Sequence, residues 1–166
     1  MRKPIKDMTP AEKQERIGHL SHKYYDINTT PSTILREEMQ YTETDAHMLD
    51  MLKRMETMEI QRNEINNECS AKLTSEMRVW KGVFKYQKDD LAKKHEKQKL
   101  LPPFGRACAY WNPKELERVQ RQEVDALKRE QEQTSKQIRD IAMRRLNNFD
   151  DQMRSVFIDA VKYIYR

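Results

Sequence analysis

His19 and His22 stand three residues apart, a spacing that puts two imidazoles on one turn of a helix and supplies half of a metal site. No cysteine or carboxylate constellation completes the set, and Cys69 and Cys108 are remote from each other, so surface histidines and no metal are expected. The two cysteines read as a packed and an exposed thiol in a reducing compartment, not as a disulfide. Asp89-Asp90 and Asp150-Asp151 are neighbours in sequence, but consecutive side chains diverge by roughly 100° around a helix and cannot share a reacting centre. Asn28-Thr29-Thr30 fits a glycosylation sequon by chance, with Pro31 following and no secretory signal ahead. With no glycine-rich phosphate loop and no nucleophile elbow, neither catalysis, nor a cofactor, nor a small-molecule substrate is expected.

Binding chemistry is better represented. Lys81, Lys85, Lys88, Lys93, Lys94, Lys97, Lys99 and Arg106 face only Asp89, Asp90 and Glu96 within residues 81–106, a surplus equal to the net charge of +5 for the whole chain. Lysines at 81, 85, 88 and at 93, 97 recur at helical intervals, so several are expected to meet one anionic surface together. Each basic residue at an anionic leaflet contributes about 1 kcal/mol, and the attraction fades within a Debye length. Nucleic-acid phosphate is the other use of such a patch, but Tyr86, Tyr110 and Trp111 are too few for a single-strand stacking platform.

These side chains need long helices to hold them. Charged residues make up 36% of the 166, hydrophobics 37%, and Gly plus Pro only 3 and 6 residues, the composition of an all-α chain with a seam for a core. Thr9-Pro10-Ala11-Glu12 reads as a capping box opening a helix that runs to about Tyr25. DINTTPS breaks it, and 1–31 is expected to form an N-terminal helical segment with its linker. Residues 32–166 are then a long antiparallel hairpin, with arms at about 32–101 and 113–166 and a turn at 102–112. Within the first arm YTETDAH offers a point of re-initiation, and Gly82 is its one glycine. Pro102-Pro103 stops that arm, and Asn112-Pro113-Lys114-Glu115 supplies the cap of the next.

Apolar residues support the pairing. Met48, Met51, Met55, Met58, Ile65, Cys69, Leu73, Met77, Trp80, Phe84 and Leu91 recur at three, four or seven, with Arg62 and Gln87 as interruptions, and a matching series runs from Ile138 to Ile164. A fold point near Arg106 places Met55 beside Phe157, Ile65 beside Leu146 and Leu73 beside Ile138. Residues 121–137 are nearly all polar, whereas the chain end is apolar in more directions than one seam covers. Val156, Phe157, Ile158, Val161, Tyr163, Ile164 and Tyr165 carry this surplus, so association is expected, most simply in a homodimer, otherwise with a helical protein partner.

KGVFKYQKDDLAKK (81–94), the proline-rich stretch, and TSKQIRDIAMRRLNNFDDQMRSVFIDAVKYI (134–164) together resemble the last two helices of the BAR module of sorting nexins. The likeness covers roughly residues 40–166, with no phox-homology domain ahead of it. It implies a dimer curved into a helical bundle on anionic endosomal membrane, with Lys81, Lys85, Lys88, Lys93, Lys94 and Arg106 facing lipid and Phe149, Met153, Val156, Phe157, Ala160 and Ile164 in the association seam. The expectation is a non-enzymatic, cytoplasmic, peripheral membrane scaffold in protein transport. The alternative is a structural helical subunit of a large multi-protein or ribonucleoprotein assembly, such as a mitochondrial ribosome.

Overall fold

The computed structural model describes residues 1–100 and 113–166, Leu100 by its backbone alone. Among these the chain is all-α: a 3-10 turn at Ile5–Asp7, then α1 (Pro10–Lys23), α2 (Pro31–Met39), α3 (Ala46–Leu100) and α4 (Pro113–Ile164), with no strand. The expected turn at 102–112, with Arg106, Cys108, Tyr110, Trp111 and the Asn112 cap, lies outside the described residues.

Local chemistry explains each boundary. Thr9 Oγ1 accepts from the Glu12 amide at 3.2 Å while Glu12 Oε2 accepts from the Thr9 amide at 2.6 Å, the reciprocal box that its sequence announces. Thr30 caps α2 through the Thr33 amide, with Pro31 in the first turn. The first arm does not run from residue 32: the chain leaves helix after Met39 and restarts at Ala46, where Asp45 Oδ1 accepts from the Met48 amide at 2.8 Å. From there α3 continues for 55 residues and passes through Gly82 without a break, nothing lying within 4 Å of the place a Cβ would occupy.

The described chain forms two compact units, 1–68 with 144–166, and 69–143. In the first, α1, α2, the start of α3 and the end of α4 share one core of Leu20, Ile34, Leu35, Met39, Met48, Met55, Phe157, Val161 and Ile164, with Phe157 fully enclosed. No packing break therefore falls at residue 31, where the sequence suggested a boundary. Polar groups fix how these helices meet. Glu59 accepts from the Ser32 amide and hydroxyl at 2.7 and 2.8 Å, Arg62 Nε reaches Asp150 at 2.5 Å, and Arg145 reaches Glu68 at 2.6 Å.

At one end of this core Glu38 is 1% exposed. Arg2 and Arg16 both donate to its carboxylate, the latter at 2.8 Å, and the Tyr165 hydroxyl donates as well. Burial pushes the Glu38 carboxyl upward, but the hydrogen bonds from Arg2, Arg16 and Tyr165 outweigh it and hold the group below its ordinary 4.5.

In the second unit α3 and α4 again run antiparallel, but the seam mixes polar residues with apolar ones. Its enclosed and half-enclosed positions are 69, 73, 76, 77, 80, 84, 87, 91, 95 and 98 on α3, and 116, 120, 123, 127, 131, 134, 135, 138, 142 and 143 on α4, and apart from 77, 135 and 143 they form one stripe on each helix. Both follow a repeat of about eleven residues in three turns, 3.67 per turn, close enough to the α-helical 3.6 that one stripe stays on one side. The repeat is visible in its bonds. Gln131 Nε2 donates to the Phe84 carbonyl and to Gln87 Oε1 at 3.2 and 3.0 Å, and Gln120 Nε2 does the same with His95 and Gln98 at 3.2 and 3.1 Å. The pairs Arg62–Asp150 and Glu68–Arg145 keep the register expected from Met55/Phe157 and Ile65/Leu146. The Phe84–Gln131 and His95–Gln120 contacts, further along α3, are offset from that register by about one helical turn.

Replacing Glu38 by Gln leaves two arginines facing a neutral amide and should cost about 3 kcal/mol at neutral pH. A carboxyl lowered in the folded state contributes fully above its ordinary 4.5 and loses that contribution as pH falls through the lower folded value. Urea denaturation of wild type and Glu38→Gln at about pH 7 and about pH 3 should therefore show the gap between them shrinking at the acid end.

Candidate anion-binding face

All seven lysines singled out between 81 and 99 are exposed, while Arg106 lies outside the described residues. They do not share a face. Five residues separate Lys88 from Lys93, which turns the helix by about 140° and carries the second group past the seam. Lys88 lines a groove with Lys128, Lys136 and Arg139 of α4, whereas Lys93, Lys94 and Lys97 line another with Asp90 and Gln98. The rotation turns the two sets toward different sides of α3, where they line separate grooves.

The two grooves differ in their electrostatics. On the Lys94 side, Glu123 takes Lys94 Nζ and His95 Nε2, each at 3.2 Å, and those hydrogen bonds hold its carboxyl below the ordinary value. On the Lys88 side, Phe84, Gln131 and Ser135 line the groove together with four cations and a single carboxylate, Glu132. None of Lys88, Lys128, Lys136 and Arg139 forms an ion pair or side-chain hydrogen bond among the described residues, so all four charges are open to a ligand. Lys81 and Lys85, one and two steps back along the same side of α3, extend the positive track.

Counting charge by segment missed the α4 contribution, because Lys128, Lys136 and Arg139 lie in a stretch whose acids nearly balance its bases. The usable signal was the eleven-residue repeat, which sets Gln131 against Phe84 and thereby brings Lys128 and Arg139 alongside Lys88. The same repeat accounts for Gln87, which looked like an interruption of the stripe and is a seam residue bonded to Gln131.

The expected association seam is already covered within the chain. Met153, Phe157, Ala160 and Ile164 are 3%, 0%, 1% and 3% exposed, and Phe149 and Val156 pack half-buried against the same core. Reading residues 1–31 as a separate segment left the end of α4 with one partner helix; α1 and α2 supply the missing cover, as the Tyr24 ring does at 5.0 Å from that of Phe157. The surplus apolar residues of the chain end are thus covered by α1 and α2 of the same chain.

His19 and His22 are exposed, Cys69 is a buried free thiol, and among the described residues no cluster of three His, Cys, Asp or Glu could hold a metal. No described helix is long and apolar enough to cross a membrane. Compared with family models, with curated proteins and with solved structures, the chain matches none.

Because Phe157 serves the core of its own chain, Phe157→Ala should cost about 3–5 kcal/mol of folding stability. The loss read by denaturation should be the same across a hundredfold range of protein concentration. A dependence on concentration would restore the intermolecular seam.

Proposed function

We propose that this chain is a non-enzymatic helical scaffold that serves inside a larger assembly and holds a phosphate-rich partner against the cationic side of its 69–143 unit. The observation carrying this reading is the convergence of Lys88, Lys128, Lys136 and Arg139, unpaired and drawn from two helices, on one groove. Fixed cations without internal partners repel one another and weaken the fold slightly, a cost that an anionic partner offsets.

The membrane scaffold implied by the sorting-nexin likeness draws on some of the same lysines. It also needs residues from Phe149 to Ile164 for its dimer seam, and these are enclosed by α1, α2 and the start of α3. A subunit that recruits its partner by charge is compatible with that enclosure, which is why it is preferred to a dimeric BAR-type module.

Retention on a sulfated polyanion resin tests the reading. The double charge reversal Lys128→Glu with Arg139→Glu should elute at markedly lower salt than the wild type while its helical circular dichroism is unchanged. Equal elution of the two proteins sinks the assignment of the groove.

A further inference from the structure

The polyanion can be named more closely, on the footing of the reading just given. We infer that the groove between α3 and α4 binds the sugar–phosphate backbone of a nucleic-acid duplex, without reading its sequence. Three features of the 69–143 unit point to this chemistry.

The cations stand on both walls of a groove, Lys88 on α3 and Lys128, Lys136 and Arg139 on α4. A ridge of backbone phosphates can sit between two such walls, with oxygen acceptors for ammonium and guanidinium groups on either side. A flat leaflet meets only the rim. Ser135 and Gln131 also line the groove, and their polar side chains suit a partner that enters it.

The second feature is what this side lacks. Surface-lying helices that enter a lipid interface pair basic residues with exposed apolar ones that sink toward the acyl chains. The exposed apolar residues of α3 in this unit, Val79, Val83 and Tyr86, lie roughly 100–180° around the helix from Lys81, Lys85 and Lys88. A surface bound by these lysines receives no apolar anchor from α3, and on α4 it meets the short side chain of Val124, one turn before Lys128.

The third concerns the form of nucleic acid. Non-specific single-strand binders stack bases on exposed aromatic rings. Phe84 lines the groove but is half-buried in the seam, and Tyr86 lies roughly 160° around α3 from Lys88, so no exposed ring offers a stacking platform there. A duplex, whose bases stay stacked on each other, needs phosphate contacts alone.

Four phosphate contacts give a numerical expectation: log Kobs should fall with log[salt] with a slope of about −3.6 for a duplex. The experiment uses the full chain, a mixed-sequence DNA duplex of about two helical turns, and vesicles of phosphatidylcholine with and without phosphatidylserine, all across a salt series. Binding to the duplex with a slope between about −3 and −4, little affected by sequence, supports the inference. The exposed double variant Lys128→Gln with Arg139→Gln should reduce the slope by about two, and Lys93→Gln with Lys97→Gln, on the far side, should leave it unchanged. Binding only to phosphatidylserine vesicles overturns the duplex while leaving the anion-binding scaffold standing. Binding to neither overturns both. An equal loss of slope in the two double variants removes the groove as the site, and helical circular dichroism of each variant separates these outcomes from unfolding.

Discussion

Glu38 carries a charge in a place where a charge is tolerated only with company. Its carboxylate is almost completely withdrawn from water, and an isolated carboxylate there would cost several kcal/mol before any partner is counted. Arg2 comes from the segment before α1, Arg16 from α1, and Tyr165 from the last residues of the chain. Three donors from three parts of the sequence must therefore reach one carboxylate on α2 at the same time, which leaves little latitude in how α1, α2 and the end of α4 come together. Hydrophobic packing around Phe157, Leu20 and Ile34 supplies most of the stabilisation. Directional bonds to Glu38 select which of several apolar packings is adopted. Tyr165 shows the reciprocal effect: burial, then its bond to Glu38, push its phenol up to about 12, so it remains a donor throughout the range in which proteins fold.

The two units solve the problem of joining α3 to α4 in opposite ways. In the first, methionine, phenylalanine and aliphatic side chains fill the interface, and four helix segments surround it. In the second only two helices are available, and the enclosed residues include His95, Gln120 and Gln131. A two-helix seam buries too little apolar surface to be indifferent to register, so specificity falls to hydrogen bonds. Each glutamine spans from its own helix to a carbonyl and an amide on the other, and a shift of one residue would leave a buried amide unsatisfied. Those polar contacts are of modest net stability, about 1 kcal/mol for each good bond. They fix geometry more than they add strength.

Much of this was legible in the chain, for reasons that are local. Thr9, Thr30-Pro31 and Asp45 mark helix starts because a side-chain oxygen at the cap must satisfy amides two or three residues on, and the motif is complete within a few positions. Both long helices could be read from the absence of Pro and the scarcity of Gly. The seam near Arg62 could be placed because register follows from the fold point and the apolar spacing together. What escaped depended on contacts between distant segments. Nothing local to residues 10–39 says that they cover Phe157, and nothing local to Lys88 says that Lys128 and Arg139 stand beside it. Phase errors also accumulate: a spacing that keeps 81, 85 and 88 together carries 93 and 97 around to another side, and treating them as one patch ignored the angle in the five-residue step.

Charge and seam are related through stability. On the groove side of the second unit, Lys81–Lys85, Lys85–Lys88 and Lys136–Arg139 are like-charge neighbours at helical spacing, each unfavourable by about 0.2–0.5 kcal/mol. Glu132, four residues from both Lys128 and Lys136, offsets only part of this. Such crowding falls on the unit with the thinner core, where a few tenths of a kcal/mol are a larger share of what holds the helices together. An anion lying in the groove reverses the sign of those interactions, since phosphates between cations turn repulsion across the seam into attraction from both walls. Partner binding and cohesion of α3 with α4 are then one linked equilibrium, and whatever fills the groove stabilises this unit in proportion to its affinity.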